Sequence, residues 1–404
     1  MVTYTSDQSW FTGGSWTKPT FDYQGGHPGA IGMANLTDAG WVTLDNLKFT
    51  RCGVANVADS DKCLVFTNAH HITMTNNTFT CFCWITTYFV FTTSGTKTTF
   101  TWTGNDFANT SGAVWFASAA GGAVEQDIIY NNNAFHDYAS QIGGGVHGDG
   151  AWHGFVIPPG DATQHIDNMQ FCNNRFYGDF RRSYGSDGAM TGFFFHEGGL
   201  NNAIICNNDM SFTPVTASMF DGLIVLEGES NARSTGIGIY GNTLLNQGTN
   251  AMSAAIHVSG SYKNVSVKNN IFVGMNYPFY IEDTGGTGAT WASDYNFFHT
   301  YSALVWGAAF QSFSSWTGQG RDTHSRNGGT VGFVSTSSPF NLHLTASSSA
   351  IGTAMNLSTM GIPILSIDRD GVSRGLNYSM GAYQGPGSGG DVLPPAAPIN
   401  VIVR

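Results

Sequence analysis

The chain has 404 residues, with 16 Lys and Arg against 27 Asp and Glu, giving a formal net charge of −11. That acidic excess argues against nucleic acid or an anionic membrane as partner. No apolar run reaches the roughly 18 residues of a membrane span, so none is expected.

The start, Met1-Val-Thr-Tyr-Thr-Ser6, shows no signal peptide and is already patterned like the interior. The chain therefore reads as trimmed at that end. From there an asparagine recurs two residues before a large apolar side chain. It appears as Asn77-Thr-Phe79, Asn105-Asp-Phe107, Asn133-Ala-Phe135, Asn174-Arg-Phe176, Asn208-Asp-Met210, Asn242-Thr-Leu244, Asn270-Ile-Phe272 and Asn296-Phe-Phe298. The intervals are 28, 28, 41, 34, 34, 28 and 26 residues. A repeat of that length with variable insertions is the mark of a solenoid.

Three residues before each asparagine stand Met74, Trp102, Tyr130, Phe171, Ile205, Ile239, Val267 and Ser293. Five before stand Ile72, Phe100, Ile128, Met169, Ala203, Ile237, Val265 and Trp291. This alternation is strand patterning with one buried face. The asparagine marks the bend into the next strand. Its amide tolerates left-handed backbone angles, and stacked amides bond from coil to coil.

A further strand per coil is read in Val114-Trp-Phe116, Gly154-Phe-Val-Ile157, Gly192-Phe-Phe-Phe195, Gly222-Leu-Ile-Val225, Ala255-Ile-His-Val258, Phe279-Tyr-Ile281 and Ala303-Leu-Val-Trp306. Three strands per coil with an asparagine turn resembles the right-handed parallel β-helix of the pectate-lyase-like superfamily, over residues 30 to 385. The fold expectation is thus all-β: one β-helix domain over 1–385, then a Gly/Pro linker and short tail over 386–404. The closing stretch, with Leu344-Thr-Ala-Ser-Ser-Ser-Ala-Ile351, Asp368-Arg-Asp-Gly371 and Ser379-Met-Gly-Ala-Tyr-Gln384, resembles the end of secreted bacterial β-helix proteins.

Of six cysteines, Cys172 and Cys206 hold the same position in consecutive coils, close enough for a disulfide or for two unpaired thiols. Cys52, Cys63, Cys81 and Cys83 cluster in the first coils and suit one or two more bridges. The absence of Cys-x-x-Cys and of zinc-spaced histidines argues against structural zinc. Cysteines of this kind with few lysines fit a secreted protein.

The resemblance implies a polysaccharide site on an outer face, along the further strand and its loops. Aligning the closing glycines Gly160, Gly198, Gly228 and Gly260 stacks Glu197 over Glu227, roughly 5 Å apart at Cα. In that phase Phe194, Ile224 and Ile256 point inward, and Phe195, Val225 and His257 outward. Two close carboxylates raise one pKa toward general-acid use; splayed glutamates or a calcium pair are the alternatives. Asp149-Gly-Ala-Trp-His-Gly-Phe155 and Asp187-Gly-Ala-Met-Thr-Gly-Phe193 stack in the same alignment, with Asp221 following. His147-Gly-Asp149-Gly150 resembles a His-x-Asp-Gly motif of β-helix proteins acting on polysaccharides, although Asp-Gly is also a plain turn. The longest intervals fall here, and their loops carry Trp152, His153, Tyr177, Arg181, Arg182 and His196 as candidate sugar contacts, joined by His257.

The leading expectation is a glycoside hydrolase using Glu197, Glu227, Asp187, Asp149 and Asp221, with no required cofactor. The second is a polysaccharide lyase with Arg181, Arg182 or a histidine as base and Ca2+ on the acidic residues. The third is a glycan-binding phage spike or adhesin. A monomer is expected for an enzyme and a trimer for a spike.

Overall fold

The computed structural model describes residues 2–386 except 11, 13–14, 27–28, 30–31, 54–60, 111, 119–121, 138–149, 157–164, 181–190, 197–198, 215–221, 228–233, 248–253, 261, 283–289, 308 and 338–339. Alternating apolar residues make strands with one face to bury, and stacking coils buries that face continuously. Three long parallel sheets result, and the chain is a right-handed parallel β-helix. Sheet A runs from Val2–Thr5 to Trp291–Asp294, and sheet B from Thr20–Asp22 to Arg326–Asn327. Sheet C runs from Ala34–Thr37 to Leu304–Trp306, where Ala309–Gln311 turns back antiparallel.

Both inward rows expected on sheet A are inside, with Ile72, Phe100, Ile128, Met74, Trp102 and Tyr130 almost wholly buried. On sheet B, Phe21, Phe49, Phe79 and Phe107 stack ring on ring at 4.9–5.2 Å. The offset-stacked spacing of such rings lies in the range aromatic pairs favour.

The eight asparagines form an unbroken ladder. Each of the first seven donates its backbone amide to the Oδ1 of the next coil at 2.9–3.0 Å. Its Nδ2 donates to the same oxygen and also to a carbonyl of the preceding coil, such as Phe171 O from Asn208 at 2.9 Å. No ladder amide is left unpaired. At the far end Asn296 donates to Asp322, a buried carboxylate that also accepts from Ser293, Ser325 and Trp316. Burial raises the pKa of Asp322, with those hydrogen bonds opposing.

The left-handed residue of the turn is not the ladder asparagine, as its chemistry suggested, but the one before it. Asn76, Gly104, Asn132, Asn173, Asn207, Gly241, Asn269 and Tyr295 have φ between +51° and +69°. Apart from Gly104 and Gly241, which have none, their side chains face outward, which leaves the ladder amide free to turn in.

Two of these outward asparagines fasten the C-terminal segment. Asn207 donates to Ile364 O and Ile367 O, and Asn269 exchanges 2.8 Å bonds with Met355. Arg374, 2 % exposed, donates to Asn207 and to the carbonyls of Ile367, Ser379 and Gly381. Burial lowers its pKa to about 10, against the pull of Asp368. Beneath lies the Cys172–Cys206 disulfide, with Cα atoms 4.5 Å apart. It belongs to the outer row of sheet A, yet Leu357, Leu365 and Tyr378 cover it. Residues 387–404, which include most of the proposed linker and tail, lie outside the described residues.

Removing one rung tests the ladder. Asn208→Ala leaves Asn174 N without its acceptor, and Phe171 O and Asn242 Oδ1 without the Nδ2 donor. At about 1–3 kcal/mol for each buried unsatisfied group, the predicted loss is about 3–5 kcal/mol in urea unfolding. A loss below about 1 kcal/mol contradicts the assigned role.

Candidate functional site

The outer face of sheet C depends on strand register, and the register differs from the glycine alignment. Trp152 pairs with Phe193, and Phe155 with His196 rather than with Phe193. One coil on, Phe194 pairs with Val225 and His196 with Glu227. Phe193 and Phe195 are inside, whereas Phe194 is the half-buried residue facing out. A one-residue slip exchanges the two faces of a strand. The backbone therefore sets His196, not Glu197, beside Glu227.

The reason is packing. The Phe193 ring stacks on Trp152 at 4.9 Å and meets Phe171 edge-on at 5.3 Å, filling the core. Trp152 itself is fully buried, so it is a core residue and offers no platform to a sugar.

Two register rows run along sheet C, facing outward among the residues whose side chains are described. The first joins Tyr88, Trp115, His153, Phe194, Val225, His257 and Tyr280 in register. The second joins Phe155, His196, Glu227 and Ser259, and Glu282 follows, its amide donating to Val258 O at 2.9 Å. Tyr88, Trp115, Phe194 and Tyr280 are partly exposed. At one end of the row, Lys62 Nζ lies 4.7 Å from the Tyr88 ring and 5.1 Å from Trp84. Burial lowers the Lys62 pKa, with Asp61 opposing.

His257 is the most constrained group here. Its Nε2 lies 3.0 Å from Glu282 Oε1, and the Tyr280 ring meets it edge-on at 5.3 Å. The side chain is 9 % exposed, and Nδ1 has no hydrogen-bond partner among the described residues. Glu282 is 39 % exposed at the side chain and Glu227 is half-buried. The charge of Glu227 reaches inward to Tyr262, whose phenol is raised first by burial and then by that carboxylate.

The remaining expected residues divide in two. Glu197, Asp187, Asp149, Asp221, His147, Arg181 and Arg182 lie outside the described residues, and with them the acidic positions to which Ca2+ was assigned. His153 and His196 are placed by backbone register alone. Tyr177 is described, but on sheet B, away from Glu227. Glu282 and Tyr280 escaped the sequence reading, although Tyr280 and Glu282 alternate just as His257 and Ser259 do.

Sheet B carries a separate polar cluster. His136 lies 3.0 Å from Asp106 and 2.7 Å from Asp137, with Tyr177 stacked on its ring at 4.8 Å. Arg175 sits over Tyr177 and reaches toward Asp209, a buried carboxylate that accepts from Tyr383 at 2.6 Å. Burial raises the pKa of Asp209, opposed chiefly by Arg369. Since Tyr383 and Arg369 belong to the C-terminal segment, this end of the cluster anchors that segment.

No protein-family model matches the chain, and no curated protein matches it either.

The His136 pKa is raised. Burial, its largest influence, acts downward and is outweighed by hydrogen bonds and charges from Asp106 and Asp137. A raised pKa means that the imidazolium contributes stability fully below about pH 6.5, and loses it as pH rises through the folded-state value. His136 is predicted to titrate by NMR above about 6.5. The stability difference between wild type and His136→Gln should shrink above that midpoint; an unchanged difference contradicts the pairing.

Proposed function

We propose that the protein is a secreted polysaccharide-cleaving enzyme, a β-helix of the pectate-lyase-like kind that binds its substrate along the outer face of sheet C. The observation that carries this is the set Glu227, His257 and Glu282 on successive coils beside a row of aromatic rings. Aromatic rings offer apolar platforms to sugar faces while carboxylates handle protons.

Glu227 and Glu282 stand in one row with Ser259 between them, two strand spacings or roughly 9.6 Å apart at Cα. Inverting glycosidases need about 6.5–9.5 Å between carboxyl groups, which leaves space for water. In this reading one glutamic acid protonates the departing glycosidic oxygen, and the other carboxylate takes a proton from water attacking the opposite sugar face. No cofactor is needed.

One observation favours a lyase as the second reading. His257 is paired through Nε2 with the part-exposed Glu282, while its unpaired Nδ1 is buried, so Nε2 is the nitrogen that would take a proton. An imidazole so held is suited to removing the proton beside a uronate carboxylate, after which the glycosidic oxygen leaves and a double bond forms. Calcium neutralising the uronate belongs to this reading alone.

Digestion of a glycan panel separates the two. A hydrolase releases reducing ends without unsaturated-uronate absorbance, and Glu227→Gln and Glu282→Gln each slow it by about 10²–10⁴. A lyase produces that absorbance, and His257→Gln abolishes it. An absence of products across the panel, with binding retained, defeats both and leaves a glycan-binding spike or adhesin.

A further inference from the structure

We propose that Cys52 and Cys63 form a second disulfide, which clamps the first coils where the chain passes from sheet B to sheet C. Cys52 follows strand Lys48–Thr50 of sheet B, and Cys63 lies in strand Lys62–Thr67 of sheet C. Both are wholly buried, and their sulfurs stand 2.7 Å apart, nearer than two non-bonded sulfurs settle. Cys81 Sγ lies 3.7 Å from Cys63 Sγ, and Met33 Sδ lies 3.8 Å from Cys52 Sγ.

Three cysteines so grouped also raise a metal site. Zinc–sulfur bonds of about 2.3 Å at tetrahedral angles hold two thiolates about 3.8 Å apart. Cys63 and Cys81 meet that distance, but Cys52 and Cys63 are far inside it. Two sulfurs sharing one metal do not approach that closely, whereas a covalent pair does. The spacing therefore selects Cys52 with Cys63 for the bond and leaves Cys81 as a neighbouring thiol. Burial keeps Cys81 protonated by raising its pKa, so it is a poor nucleophile toward the bridge.

Closure converts two thiols into one disulfide, with loss of two protons and two electrons. A low-molecular-weight disulfide accepts them by exchange and leaves as two thiols. The Cys172–Cys206 bridge places the same chemistry elsewhere in the chain. The new bridge also has a neighbour of interest. Lys62, directly before Cys63, rests its ammonium over Tyr88 and Trp84 at the end of the outward aromatic row. The bridge thus fixes the strand that supports that row, and its existence does not depend on what the row binds.

Non-reducing peptide mapping of the full chain, denatured in an alkylating agent, tests the assignment. The expected map links the Cys52 and Cys63 peptides, two hydrogens lighter than their sum, with Cys81 and Cys83 alkylated. Cys81→Ser leaves that link intact, and Cys63→Ser leaves Cys52 alkylated. Should Cys63→Ser not fold, the wild-type and Cys81→Ser maps decide the matter. Alkylated Cys52 and Cys63, a Cys63–Cys81 link, or about one tightly held zinc per chain with three protected thiols overturns the proposal.

Discussion

Eight asparagine amides are buried along one line in this protein, and an amide inside an apolar core is tolerated only when every donor and acceptor is paired. The ladder meets that demand by making each coil complete the bonding of the one before. Asn208, for example, accepts from Asn174 N and Nδ2 while donating to Asn242 and to Phe171 O. Coils can then be neither skipped nor slid, because either leaves polar groups unpaired over several turns. Asp322 ends the series by accepting from Asn296 what a further coil would have taken.

From this line the rest of the architecture is positioned. The left-handed residue before each rung, where it is not glycine, projects its side chain away from the core, so Asn207 and Asn269 serve as fixings for the C-terminal segment. That segment covers the Cys172–Cys206 bridge and, through Tyr383, one end of the sheet B polar cluster. Sheet C is joined to the same coils, and its outer face presents the aromatic row and the Glu227, His257 and Glu282 set. For the proposed function, side chains held on rigid strands lose little conformational entropy on binding.

The ladder, the inward rows of sheet A and the Cys172–Cys206 pairing were legible because one residue type recurs at one position and alternation is strict around it. Sheet C was less so. Phe193-Phe194-Phe195 has no alternation of its own, and two phases satisfy the pattern equally. Only the three-dimensional fit of Phe193 against Trp152 and Phe171 chooses between them. The closing glycines misled because they mark where each strand ends, not which residues pair. Trp152 was read as a loop aromatic for the same reason. The partnership of His257 with Glu282 joins residues from consecutive coils, and was hidden until the register of Tyr280 was known. The fastening of the C-terminal segment by Arg374 bridges residues too far apart in sequence for any local pattern to announce.

Hydrogen exchange is the most direct measure of the constraint from which all this follows. The backbone amides of Asn105, Asn133, Asn174, Asn208 and Asn242 are each bonded to the next rung inside the core. They should be among the slowest in the molecule, exchanging only through its largest unfolding step. If instead they exchange as fast as the exposed Asn168 and Asn202 on sheet A, the ladder does not hold the coils in register and the account fails.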